Sequence, residues 1–388
     1  MCPTFPVTGE ESLSTRGRAN TIQAALTGRL GESPLTAPGL WQVLDTCLSC
    51  KACATECPSN VNLPLLKAEL QQARHDQHGM NLSARVFSRV DLLGEWGCRW
   101  PSAANALLRL GTTRWLLQKL LGLATERPLP PYTRQRFDHW FARRPTHAGP
   151  RGEVILWDDT FVRYHEPHIG QAAVAVLEAA GFTVRLLTDR RCCGRPAFSQ
   201  GNLRAAAALG RHNLARLNAL GGNAPILFLE PSCHSMVAMD YRELKLAGAE
   251  AVAERCWLLE EFVAALLERE PEAIAWQPRP DALAIHAHCH TKSLRPRGSV
   301  IGLAHRLAAS ATVLETGCCG MAGAFGHLAK HQALSRQVAQ PLLEQLARYG
   351  SDSVTVASGT SCRQQIADLA GRPARHLVEV MAERLRRP

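Results

Sequence analysis

The sequence predicts an α/β protein in which an N-terminal all-helical unit, built around a cysteine run, precedes a duplicated α/β cysteine-rich domain. Three observations predict it. From about residue 150, short β-branched or aliphatic runs alternate with long alanine- and leucine-rich stretches, the pattern of α/β layers around a largely parallel sheet. The alternation occurs twice, with a Cys-Cys-Gly triplet after the second strand and a Ser-Cys after the third in each copy. Before residue 150 the pattern is helical, and proline- and glycine-rich punctuation at Pro145, Gly149, Pro150 and Gly152 marks the change.

A chain of 388 residues with 46% hydrophobic composition can bury sizeable cores. The expected divisions are a helical unit around the cysteine run at 1–80, a helical connector at 81–149, and α/β copies at 150–277 and 278–388. Fourteen cysteines are too few for a disulfide scaffold and fall in adjacent pairs or metal-like spacing, which suits a reducing, cytoplasmic compartment. The start has no basic and apolar leader, and no run approaches the roughly 18 apolar residues of a membrane span. The net charge of +10 comes from scattered arginines without interleaved aromatics, which argues against nucleic acid. It is compatible with peripheral contact at the inner face of a membrane or with an acidic partner, although a solvated surface is the plainer reading.

In chain order, Cys2-Pro3 is followed by Thr15-Arg16-Gly17-Arg18-Ala19-Asn20, which reads as an N-cap and basic first turn. Cys47, Cys50 and Cys53 recur every third residue, and Cys57 follows, next to Pro58. This is the ferredoxin spacing: a tight turn aims three thiolates at one cubane cluster, and the proline-preceded cysteine ligates another. By that geometry Cys2 completes the Cys47, Cys50 and Cys53 site, and Cys57 points away. Zinc or plain structural thiols are the alternatives, but zinc sites use paired ligands separated by a longer loop. Asn62 can cap a helix with Pro64 in its first turn and Leu65, Leu66, Leu70 and Ala73 on one face. More helix follows from Val86 to Trp140, interrupted at Gly111, with Cys98 as a lone core thiol.

The first copy reads as strands Val154 to Trp157, Thr183 to Leu187 and Ile226 to Glu230, with Cys192, Cys193 and Cys233 at their ends. The second reads as strands Ala282 to Ala287, Thr312 to Glu315 and Ser353 to Ala357, with Cys289, Cys318, Cys319 and Cys362. A helix spans Val300 to Ala308, and Glu270 to Pro280 is a linker. Cys193 and Cys233 are 40 residues apart, Cys319 and Cys362 43, so the copies match. Thr160 stands where the second copy has Cys289.

Four thiolates at strand ends can hold a second iron-sulfur cluster, with Gly317, Gly320, Gly323 and Gly326 letting amides approach the sulfurs. Zinc and a thiol-disulfide centre at Cys318-Cys319 are the rival readings. Three thiols leave the first copy one short; Thr160, Asp159 or His234 could substitute, but a degenerate scaffold is favoured. His286, His288 and His290 alternate along a strand and cannot all reach one site.

Through Cys2-Pro3-Thr4, Ser14 to Ala19, Cys47 to Pro58, Cys192-Cys193-Gly194, His288-Cys289-His290, Cys318 to Gly323 and Ser361-Cys362-Arg363, the chain resembles the iron-sulfur proteins of flavin-dependent 2-hydroxyacid dehydrogenases. These include the iron-sulfur subunits of glycolate oxidase and anaerobic glycerol-3-phosphate dehydrogenase, and the cysteine-rich domains of heterodisulfide reductase. It is most similar to the C-terminal half of fused D-lactate and D-2-hydroxyglutarate dehydrogenases. The resemblance implies an oxidoreductase component that is not catalytic alone. It would carry a 4Fe-4S cluster, take electrons from FAD on a partner subunit or domain, and pass them to a quinone, cytochrome or other acceptor. Three departures stand out: the flavin domain and the three cysteines before Cys2 are absent; Thr160 replaces a cysteine; and Glu230 and Gly359 occupy positions where heterodisulfide reductase has cysteines. A thiol or disulfide reductase and a non-catalytic metal-stabilised interaction module are the alternative functions.

Overall fold

The computed structural model describes residues 2–31, 33–59, 61–294, 298–350 and 352–386. Its two sheets grow from the two sets of aliphatic runs. The first contains β1 (Glu153–Trp157), β2 (Thr183–Leu186), β3 (Ile226–Phe228) and β4 (Cys256–Leu258), all parallel, in the order β2-β1-β3-β4. The second contains β5 (Arg279–Ile285), β6 (Ala308–Val313) and β7 (Ser353–Val356), also parallel, in the order β6-β5-β7. In both sheets the first strand is central and the next two flank it, so the repeat in sequence is a repeat in topology. Val154 to Trp157 are buried in succession, as a central parallel strand covered on both faces requires.

Two expectations of strand placement are corrected. β4 was not anticipated because three residues between helices carry no usable periodicity; its pairing with β3 defines it. β6 starts at Ala308 instead of Thr312, and the preceding helix stops at His305. Alanine and serine give little β signal, and register against β5 decides the assignment.

One apolar cluster joins the copies, from Leu156 and Ile169 through Phe262 to Leu283, Leu303 and Val378. It passes through the expected division at 277/278. Each fully buried Val, Leu, Ile, Phe or Met side chain in that cluster contributes on the order of 1.5–3 kcal/mol, so the junction is part of the core.

Among the described residues no strand precedes Glu153. Ser14, and not Thr15, caps the helix Thr15–Leu26, its Oγ accepting the Gly17 amide at 2.9 Å. A Cβ on Gly17 would stand 2.1 Å from the Glu11 carbonyl oxygen, so this helix can lie on the preceding turn only with glycine there. Asn62 caps the helix Leu63–His78 as expected, but Leu66 is exposed and Lys67 is buried. Lys67 turns inward because its Nζ donates to the Cys47 carbonyl at 2.8 Å.

Candidate functional site

The thiols of the second copy lie at the C-terminal edge of its sheet. Cys289 opens a short helix after β5, Cys318 and Cys319 follow β6, and Cys362 is in the first turn of the helix Thr360–Ala370 after β7. They form a continuous chain of contacts, Cys289 to Cys318, Cys318 to Cys319 and Cys319 to Cys362. Cys318, Cys319 and Cys362 are buried. The hydrogen bond with Cys318 and then burial push the Cys289 thiol well up; Cys318, Cys319 and Cys362 are also raised, their shared hydrogen bonds lowering some and raising others while burial raises all three. Four adjoining thiols can share protons, but four thiolates repel one another and require a cation.

Lys292 alone does not meet that need: its ammonium donates to the Thr316 carbonyl, and burial lowers its pKa despite Cys289, Cys362 and Cys318 nearby. The donor set therefore fits a thiophilic metal or cluster. His286 joins it. One of its ring nitrogens lies within 4.8 Å of the Cys319 and Cys362 sulfurs; Nδ1 is bonded to Thr316 at 2.8 Å, and Nε2 has no hydrogen-bond partner among the described residues. Burial pushes its pKa down to about 3, leaving the ring neutral and able to donate a lone pair. The expected alternation of His286, His288 and His290 along a strand, with one or two of them ordinary core or surface residues, is corrected: β5 ends at Ile285, His288 caps the helix Cys289–Lys292 that contains His290, and His286 lies beside the sulfurs.

Backbone amides line the sulfurs. Gly320 N donates to Cys318 at 3.4 Å, Met321 N to Cys319 and His290 N to Cys289. Of the four glycines expected to bring amides to this site, Gly320 is the one whose amide is bonded to a thiol; Gly317 faces Pro3, and Gly326 packs against Met321 and Arg127. The glycine of each Cys-Cys-Gly triplet has left-handed backbone, φ 91° at Gly194 and 86° at Gly320. That conformation turns the chain sharply beneath the paired thiols.

The N-terminal thiols face this group. Burial raises Cys50 well above the ordinary thiol range, and the next influence is Cys289, followed among thiols by Cys47 and Cys2. Cys53 is pushed up to about 11, chiefly by burial, and the thiols that bear on it are Cys47 and Cys2. The structure thus brings Cys2, Cys47, Cys50 and Cys53 together, and Cys50 adjoins Cys289 and Cys318 across an apolar contact with Leu48 and Phe325. Cys57 ends the short helix Ala52–Glu56, half-buried, its amide donating to the Cys53 carbonyl. Ser49 and Lys51, on either side of Cys50, have positive φ (52° and 66°), strain that the turn aiming the thiols stores.

Arg18 holds the terminus in place. It is 1% exposed, and its guanidinium donates to Val43 O, Thr46 Oγ1, Thr4 Oγ1 and, at 2.6 Å, Cys2 Sγ. Burial raises the Cys2 pKa, but Arg18 and Thr4 outweigh it and hold the thiol below its ordinary value. Among the described residues no carboxylate is a bonded partner of this buried cation, and of its partners only the Cys2 sulfur can take on negative charge. The expected basic first turn is thus a buried arginine lock, and only Arg16 behaves as a surface cation.

A second unread network docks the cysteine run on the α/β copies. Lys51 Nζ meets both Asp240 oxygens at 2.8 Å, with both side chains fully buried and Arg195 on the same carboxylate. Burial lowers Lys51 to about 8 in spite of Asp240. His290 links the three parts, Nε2 to Ser49 O at 3.0 Å and Nδ1 to Ser235 Oγ at 2.7 Å. Asp240 projects from the π-helical turn Met236–Asp240, which follows the first-copy cysteine Cys233.

In the first copy Cys193 donates to Cys233 at 3.1 Å and Cys192 adjoins Cys193, but all three sit in an apolar cluster with Trp157, Phe228 and Tyr241. The fourth corner has Thr160 and the Asp159 carboxylate. Burial, then Glu230, raises Asp159 from 3.8 to about 7. The folded chain therefore keeps a proton that the unfolded chain loses from about pH 4, and stability falls as pH rises through that window and stays low above it, by up to roughly 4 kcal/mol. Asp159→Asn keeps the cap to Phe161 and Val162 and should raise the unfolding midpoint at pH 8 while changing it little at pH 4; equal effects at both pH values would refute this assignment.

Glu230 and Gly359, the two departures from the heterodisulfide pattern, have structural causes. Glu230 accepts Ser232 N at 3.1 Å and, across the pseudo-symmetric junction, Thr360 N at 2.8 Å. A Cβ on Gly359 would stand 2.3 Å from His288 Cδ2. Gly359→Ala should cost about 1–3 kcal/mol, and His288→Ala should relieve much of it; additive losses in a double-mutant cycle by urea unfolding would exclude the clash.

Residues 160–238 and 283–367 each match the family described as the CCG cysteine-rich domain, so the match falls once on each α/β copy. Over 99% of its length it is 24% identical to a D-2-hydroxyglutarate dehydrogenase of Pseudomonas putida, of which it spans 41%. It is 25% identical to a subunit of the anaerobic glycerol-3-phosphate dehydrogenase of Escherichia coli, over 81% of this chain and 80% of that one. It is 24% identical to the glycolate oxidase iron-sulfur subunit of Escherichia coli, over 99% and 91% respectively.

Proposed function

We propose that two CCG domains behind a helical cysteine run make this chain the iron-sulfur electron-transfer module of a flavin-dependent 2-hydroxyacid dehydrogenase, with FAD on a separate subunit or domain. The observation that carries the proposal is that Cys50 and Cys289 pack against the same cluster of Leu48, Cys318 and Phe325, so two thiol groups suited to clusters adjoin. Clusters bound there would accept the flavin's electrons one at a time and release them to a quinone, cytochrome or other acceptor. Cys2, Cys47, Cys50 and Cys53 would hold a 4Fe-4S cluster in a ferredoxin-like unit. Cys289, Cys318, Cys319 and Cys362 would hold the second, with His286 beside it and the first copy serving as scaffold. The protein's own part is to keep both sites dry and spaced and to direct amides at the sulfurs, which adjusts potential.

A cleft of about 810 Å³ reaches the first group, lined by Trp41, Cys47, Lys67, Arg74, Phe325 and His331. It offers an acceptor or donor an approach to Cys47. Anaerobically purified protein should contain iron and acid-labile sulfide in equal amounts, and its EPR signal should appear on reduction by a flavoprotein without turnover of disulfides. Zinc without sulfide would overturn the reading in favour of a metal-stapled interaction module, and disulfide turnover at Cys318-Cys319 would favour a reductase.

A further inference from the structure

The helix Val90–Gly97 is packed inside out. Gly94 and Gly97 face the protein so closely that a Cβ on either would stand 2.5 Å from the rings of Tyr164 and Tyr132, while Leu92, Leu93 and Trp96 point to solvent. The inversion continues through the next two helices, Pro101–Arg109 and Gly111–Leu121, which bury no residue fully. Ten of the sixteen exposed large apolar side chains among the described residues lie between Leu82 and Leu120, with Trp96, Trp100 and Trp115 all more than half exposed. A patch this concentrated requires a partner surface.

Its charge identifies which. Residues 82–121 carry six basic side chains against Asp91 and Glu95. Arg85, Arg89, Arg99, Arg109 and Lys119 are exposed and recur between the apolar positions, and the Arg99 guanidinium lies 5.9 and 5.5 Å from the Trp96 and Trp100 rings. A protein interface gathers its apolar side chains into a charge-poor centre with a polar rim. Basic residues interleaved with tryptophan and leucine instead suit the headgroup layer of an anionic bilayer, where the rings lie at the acyl boundary and the cations meet phosphates. No helix among the described residues is long and apolar enough to cross a membrane, so any such contact made by these helices lies in the surface plane.

We propose that the helices between Leu82 and Leu121 rest on the surface of an anionic lipid bilayer. The proposal is independent of the redox reading, and its test needs no activity. The full chain as purified is sedimented with phosphatidylglycerol-containing vesicles and with pure phosphatidylcholine vesicles. Binding should favour the anionic vesicles and weaken as salt is raised from about 0.1 M to about 1 M, where the screening length falls from roughly 10 Å to roughly 3 Å. Trp96→Ser/Trp100→Ser/Trp115→Ser should weaken it by roughly tenfold per tryptophan, with unfolding midpoint and iron content unchanged because the three side chains are exposed. Failure to bind anionic vesicles, equal binding to neutral ones, or retained binding by the triple variant would overturn the proposal. So would a variant whose only change is lost self-association, which would assign the face to protein contact.

Discussion

Cys318→Ser and Cys362→Ser are each expected to remove about half of the iron, leaving the EPR signal of the N-terminal centre. The expectation rests on position in the contact chain that runs from Cys289 to Cys362. Cys318 is an interior link, and Cys362 is the thiol supplied by the third strand end. Removing either leaves three thiolates for four corners, and a serine hydroxyl inside a buried, apolar site is a poor substitute ligand. The adjacency of Cys50 to Cys289 and Cys318 adds a second observable. With both centres reduced, the native protein should show a spectrum broadened by magnetic interaction, and each variant should show the narrower spectrum of one isolated centre. Unchanged iron would remove these residues from any cluster. Loss of both signals would mean that the two centres fold as one, which the shared contact through Leu48 and Phe325 makes a meaningful alternative.

What the sequence disclosed divides along a physical line. That Cys47, Cys50 and Cys53 gather was legible because cysteines three residues apart share one turn, and a local rule relates their spacing to where they point. The duplicated sheet was legible for the same reason: aliphatic runs between alanine-rich helices specify parallel strands without reference to distant partners. Arg18, Lys51 and His286 were not. Each looks like an ordinary surface or core residue until the chain is folded, because what defines it lies elsewhere: Cys2 for Arg18, Asp240 at a separation of 189 residues for Lys51, and the Cys319 and Cys362 sulfurs for His286. The same holds for Gly359, which reads as a missing cysteine and is in fact required by the His288 ring. Positions whose role is to dock one part on another carry no periodicity, and these are the residues that bring the two thiol groups together.

Cys2 and Cys57 should behave oppositely when changed to serine, and this comparison tests the N-terminal centre most sharply. The ferredoxin geometry takes the fourth ligand of the Cys47, Cys50 and Cys53 site from a proline-followed cysteine of another run. Cys2 has that sequence context, and the fold places it within electrostatic reach of Cys50 and Cys53. Arg18 adds an independent argument, because a buried guanidinium donating to the sulfur at 2.6 Å favours the thiolate that a metal binds. Cys2→Ser should therefore make the cluster labile or convert it to a three-iron form. It should also leave Arg18 as an unpaired buried cation, at a cost of about 3–5 kcal/mol, seen as a lower unfolding midpoint even in metal-free protein. Arg18→Met/Cys2→Ser should recover part of that stability without restoring the cluster, which separates the ligand role from the ion-pair role. Cys57→Ser should leave iron content and the EPR signal nearly intact. A cluster indifferent to Cys2 and lost with Cys57 would exchange their roles, and Arg18 would then be no more than the clasp that fastens the N-terminal segment to Val43 and Thr46.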